Sequence, residues 1–136
     1  MPLKLSRPQD EIETVEVIGL QVPVFREFDD IPLGLRATFA DLATAVARGA
    51  MSTGEMTLRL AEHVLRYSPD ERDRLSYETL ARLRLTEDEE AALSNAIHQA
   101  TLPLWERMLE RVRRKRDGGA GASDPEEQIQ EAARGN

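Results

Sequence analysis

Three hydroxyl–carboxylate pairs at a fixed spacing constrain this chain most: Ser52…Glu55, Ser68…Glu71 and Thr86…Glu89. In a capping box the hydroxyl oxygen accepts from the third helical N–H, and the carboxylate three residues on accepts from the cap's own N–H. Three such signatures predict a chain punctuated into separate helices. Apolar spacing agrees with them. Leu35, Phe39, Leu42 and Val46 recur on one face and Gly49 is placed to stop that helix; Asp29 or Asp30 can cap its start, with Pro32 at an early position. Met56, Leu60, Val64 and Tyr67 line a second helix, and Leu75, Leu80 and Leu83 a third, broken one. From Glu87 to about Arg116, the residues Leu93, Ile97, Ala100, Leu104, Met108 and Val112 form one stripe. This predicts a long helix of roughly 45 Å, bent at Pro103 and protruding at its distal end.

The opening breaks this pattern. In "VEVIGLQVPVFREF", Val15 and Val17 share one face of an extended segment, and Leu20, Val22 and Val24 share a face after Gly19. That reads as a β-hairpin, with Pro23 on an edge because it lacks an N–H. A two-stranded ribbon is marginal alone. It must pack on the helices or pair with another chain. The expected fold is therefore mainly α: a flexible leader over residues 1–12, a folded unit over 13–116 with the N-terminal ribbon, and a disordered acidic tail over 117–136. The last twenty residues hold five of the 25 acids and one of the 18 bases, a composition that cannot bury a core.

The same counts exclude several functions. A net charge of −7 does not suit a general nucleic-acid binder, which needs a sustained positive surface. The run "RVRRKR" at 111–116 is the exception; it reads foremost as a helix C-terminus favoured by the dipole, beside a nucleic-acid patch or a dock for an acidic protein. No cysteine is present, so thiolate metal sites and disulfides are excluded. His63 and His98 stand 35 residues apart without ligand spacing, and "EDEE" at 87–90 suits a helix first turn better than a metal site. No glycine-rich phosphate loop or nucleophile pattern occurs. We expect neither enzyme activity nor a cofactor, a cytoplasmic location without a membrane span, and self-association. Leu104, Trp105, Met108, Leu109 and Val112 read either as core or as a partner surface, since exposed Trp and Met edged with arginine is a common binding composition. Val22, Val24 and Phe25 join them as candidates through the ribbon's open edge.

The order of features also resembles a family. A ribbon "VEVIGLQVPVFREF", a turn "DDIPLGL", several capped helices and a late tryptophan in "AIHQATLPLW" are similar to the tail assembly chaperones of long-tailed bacteriophages, in their shorter form, over residues 13–112. The resemblance implies a non-catalytic protein of the host cytoplasm, absent from the finished particle. It would bind the long helical tape measure protein, with tail tube subunits recruited by a frameshifted longer product. Asp117 onward occupies the place where that product would diverge, although the family's Gly-Lys pair does not occur there. The competing expectation is a permanent helical adaptor of a particle or complex.

Overall fold

The computed structural model describes residues 12–118, with side chains through Arg114. The chain is mainly α: a two-stranded antiparallel hairpin leads into a set of helices. Strands β1 (Glu13–Val17) and β2 (Leu20–Val24) pair with Val15 opposite Val22 and Val17 opposite Leu20. Ile18 and Gly19 both have positive φ, 49° and 82°. Two such residues make the type I′ turn whose twist matches the strands it joins. Ile18 holds this conformation although a β-branched side chain rarely adopts it.

A 3-10 turn at Phe28–Asp30 leads into α1 (Leu33–Ala47). Pro32 occupies the cap position and no side chain caps the helix, so the capping expected of Asp29 or Asp30 does not form: both belong to the preceding turn. At the other end Gly49 has φ 74°, its N–H donates to Val46 O, and the N–H of Ala50 donates to Ala45 O. These two bonds are the Schellman closure that a left-handed residue permits. Then follow α2 (Thr53–Leu65), a 3-10 turn at Glu71–Asp73, α3 (Tyr77–Ala81) and α4 (Glu87–Ala100). Of the three expected capping boxes only Thr86–Glu89 is complete. Ser52 Oγ accepts from Glu55 N, but the Glu55 carboxylate turns to Tyr77 and Arg59. Ser68 is buried, and its hydroxyl accepts from Asp70 N within a loop.

The long bent helix is two helices. Thr101 (φ −111°, ψ 15°) ends α4, and α5 (Leu102–Gly118) begins immediately after it. Pro103 explains the break. It has no N–H for the preceding turn and its ring crowds the carbonyl four residues back, whereas in the first turn of a new helix neither matters. Helix α5 reaches Gly118, so the expected boundary at 117 falls inside its last turn; the rest of the expected tail and residues 1–11 of the expected leader lie outside the described residues.

Two compact units divide at Pro103 and Leu104. In the first, α1 lies on α2, α2 also meets α3 and α4, and β2 lies against α2 and α4. Its core is Val22, Phe25, Ile31, Leu35, Phe39, Leu60, Val64, Leu65 and Ile97. Phe25 meets Tyr67 edge to face, with ring centroids 6.2 Å apart at 83°. The second unit comprises the remainder of α5 among the described residues.

Candidate functional site

The ribbon is built into the core. Val22 is 0% exposed and Phe25 5%, so neither can touch a partner, contrary to expectation; Val24 is half-buried. Burial of β2 on both faces follows from Val22 on one side and Pro23 on the other, both fully covered. The free edge of β2 is closed as well. In a two-residue hairpin the residues next to the closing pair point their main-chain groups outward. Gln21 is one of these, and its N–H donates to the buried Asp73 carboxylate at 2.8 Å. Pro23, the next outward position, has no N–H to offer. The sequence gives no local sign of the bond from Gln21 to Asp73, which spans 52 residues. On β1, among the described residues, no hydrogen bond is made by the outward main-chain groups of Thr14 and Glu16.

The stripe on α5 divides by exposure. Leu104 is 5% exposed and belongs to the buried set, which corrects its place among partner residues. Trp105 and Met108 are half-buried, while Leu109 and Val112 are 57% and 47% exposed. Arg111, Arg113 and Arg114 are exposed beside them, and Arg114 bridges to Glu110 at 2.9 Å, one turn back. The side chains of Lys115 and Arg116 lie outside the described residues.

A second apolar surface, unanticipated from the sequence, lies in the first unit. Helix α3 stops at Ala81, so Leu83 and Leu85 sit in the connection to α4 instead of on a helical face. With Leu58 and Ala61 of α2, Leu80 of α3 and Leu93 of α4 they line an open groove of about 380 Å³. Ala61, Leu80 and Leu93 form a buried floor; Leu58 and Leu85 are half-buried and Leu83 is 38% exposed. Glu90 is the one ionisable side chain in the lining. The readable signal was the alternation Leu83-Arg84-Leu85 just before the cap at Thr86.

Polar side chains do structural work where they meet. Tyr77 Oη donates to both Glu55 oxygens at 2.8 and 2.9 Å, and Arg59 lies 4.0 Å over the Tyr77 ring. The Glu62 carboxylate accepts from Tyr77 N at 2.7 Å. Together these fasten α3 to α2. The Tyr77 hydroxyl, with Arg59, holds the Glu55 carboxyl below its ordinary value. His63 is pushed down by burial and by Arg66, against the opposing pull of Glu62. Among the described residues no three His, Cys, Asp or Glu side chains gather as a metal-ligating group, and no helix is long and apolar enough to cross a membrane. Glu87, Asp88, Glu89 and Glu90 fill the first turn of α4, where the helix dipole favours them. Comparison with family models, curated proteins and solved structures gives no match.

Proposed function

We propose that this chain is a non-catalytic binding protein of the cytoplasm, an assembly chaperone that holds an apolar helical client. On the resemblance given above, that client is a tape measure protein, with tail tube subunits engaged indirectly. The observation that supports it is the leucine-lined groove between α2, α3 and α4, open to solvent and nearly free of ionisable groups. An amphipathic helix lays its apolar residues into such a groove at three- and four-residue spacing. Leucine side chains on a short connection repack readily, which suits a client presenting many similar segments. The negative net charge keeps a crowded complex soluble.

Co-expression with a tape measure protein tests the proposal. The wild-type chain should raise the soluble yield of the client, and Leu83→Asp should abolish that gain with its own melting temperature unchanged, because Leu83 is already exposed. Equal client yield with and without the chain would refute it. The second reading, a permanent adaptor, is favoured by the exposed seam on α5. It predicts that the chain stays in purified particles, from which a chaperone is absent.

A further inference from the structure

The far end of α5 is apolar and basic, and the chain that follows it is short of apolar area and acidic. Leu102, Trp105, Leu109 and Val112 are spaced three, four and three residues apart, the repeat that lays a single seam along a helix. Leu109 and Val112 are exposed, and Arg113 borders the seam, exposed as well. Among the described residues Arg113 forms no ion pair, whereas Arg114 bridges to Glu110. From Arg111 to Asp117 the sequence holds five bases against one acid, Asp117. The eighteen residues after Gly118, all outside the described residues, reverse that balance: Asp124, Glu126, Glu127 and Glu131 stand against Arg134. They open on the glycine-rich connection "GAGAS". Asp124 then reads as a cap ahead of Pro125 at a first helical position, Glu126 and Glu127 suit a first turn, and Gly135 suits a stop. Between them Ile129, Ala132 and Ala133 fall at three- and four-residue spacing, on one helical face. A segment with so little apolar area orders only against a surface supplied from elsewhere.

We propose that residues 125–134 form a short helix that folds back antiparallel onto α5 and covers Leu109 and Val112 of the same chain. The connection 119–124 has an ordinary length for neighbouring antiparallel helices, about two to eight residues. Setting Ile129 opposite Val112 puts Ala132 opposite Leu109 and Ala133 opposite Met108, since all three pairs are centred between Ala120 and Gly121. Of the residues bordering the seam in that register, Arg113 falls beside Glu126, and Glu106 beside Ala133, so no like charges are set together there. Arg107 and Glu110, with Glu131 and Arg134, fall on the outer faces of the pair. A connection this short holds the segment at an effective concentration in roughly the millimolar range, so in dilute solution the chain's own segment outcompetes that of a neighbour. This inference does not rest on the identity of any client.

Nitroxide broadening of methyl NMR signals in the full chain tests it. The sequence has no cysteine, so Gln130→Cys accepts a single spin label. In dilute solution the Leu109 and Val112 methyl signals should broaden, and adding Ile129→Asp should leave them sharp. Arg113→Glu should weaken docking about two- to fivefold, as the loss of an exposed ion pair does, and Glu126→Arg added to it should recover the loss, because the pair re-forms with its signs reversed. The amide spectrum of the first unit establishes that each variant is folded. Sharp signals in the labelled parent chain, broadening that survives Ile129→Asp, or no recovery in the double exchange would each overturn the proposal. So would broadening seen only when isotope-labelled chains are mixed with spin-labelled ones, because the occupant would then be a second copy.

Discussion

Removing the Asp73 carboxylate should loosen the ribbon from the helices and measurably destabilise the chain. Asp73 is 8% exposed, and its oxygen accepts from Gln21 N–H at 2.8 Å. A hydrogen bond with one charged partner contributes about 1.5–3 kcal/mol, and the donor left behind in Asp73→Ala has no other acceptor placed for it. We take roughly 2 kcal/mol. For a domain of this size, 1 kcal/mol moves the melting temperature by about 4–8 °C, so Asp73→Ala should melt roughly 8–16 °C lower. Asp73→Asn keeps a carbonyl acceptor without the charge and should lose about half as much. Glu71→Ala, an exposed neighbour in the same 3-10 turn, should stay within about 0.5 kcal/mol of wild type. Thermal melting reads the stability, and hydrogen exchange reads the bond itself: the Gln21 amide should be protected in wild type and exposed in Asp73→Ala. A variant that melts like wild type, with Gln21 exchange unchanged, would refute the claim that Asp73 closes this edge.

Four further outcomes are expected. Phe25→Ala should cost about 3–5 kcal/mol, as a core aromatic does, and chemical denaturation would read it; a near-neutral result would return Phe25 to the surface. Gly49→Ala should cost about 1 kcal/mol from backbone strain alone, since φ is 74° and the space around it is open; melting curves show whether it does. Thr86→Ala removes the one complete capping box and should cost about 1 kcal/mol, with faster amide exchange in the first turn of α4. For Tyr77→Phe the sign follows from Glu55, whose folded carboxyl titrates below its ordinary value because Tyr77 donates to it. The stabilisation is present above the unfolded carboxyl value and fades as pH falls through the folded one. Wild type should therefore outlast Tyr77→Phe at neutral pH and converge with it in acid, while carboxyl NMR shows Glu55 titrating higher in the variant.

Local signals in the sequence carried far, and tertiary ones did not. The hairpin was legible because alternation, Gly19 and Pro23 all act within ten residues, and the Gly49 stop and Thr86 cap are equally local. Ser68 misled because a capping signature needs an apolar period after it, and "PDERDRL" supplies none. Ser76 was passed over, although it caps α3 through Thr79 N. Pro103 marked where the long helix would bend, but continuous apolar spacing did not show that the helix would stop at Thr101 and restart as α5. Among the candidate site residues, Leu109 and Val112 are exposed, but Val22, Phe25 and Leu104 are buried. Spacing identifies a face without saying what covers it. The groove was invisible because it depends on α3 ending early and on Leu83 and Leu85 meeting α2 and α4.

The central claim is that this chain works by covering apolar surface on another protein, and the heat capacity of association tests it most directly. Calorimetric titration of a tape-measure helix into the wild-type chain at several temperatures should give a clearly negative change, the signature of apolar burial, and Leu83→Asp should abolish the binding. Binding with no heat-capacity change, or equal binding by wild type and Leu83→Asp, would contradict it.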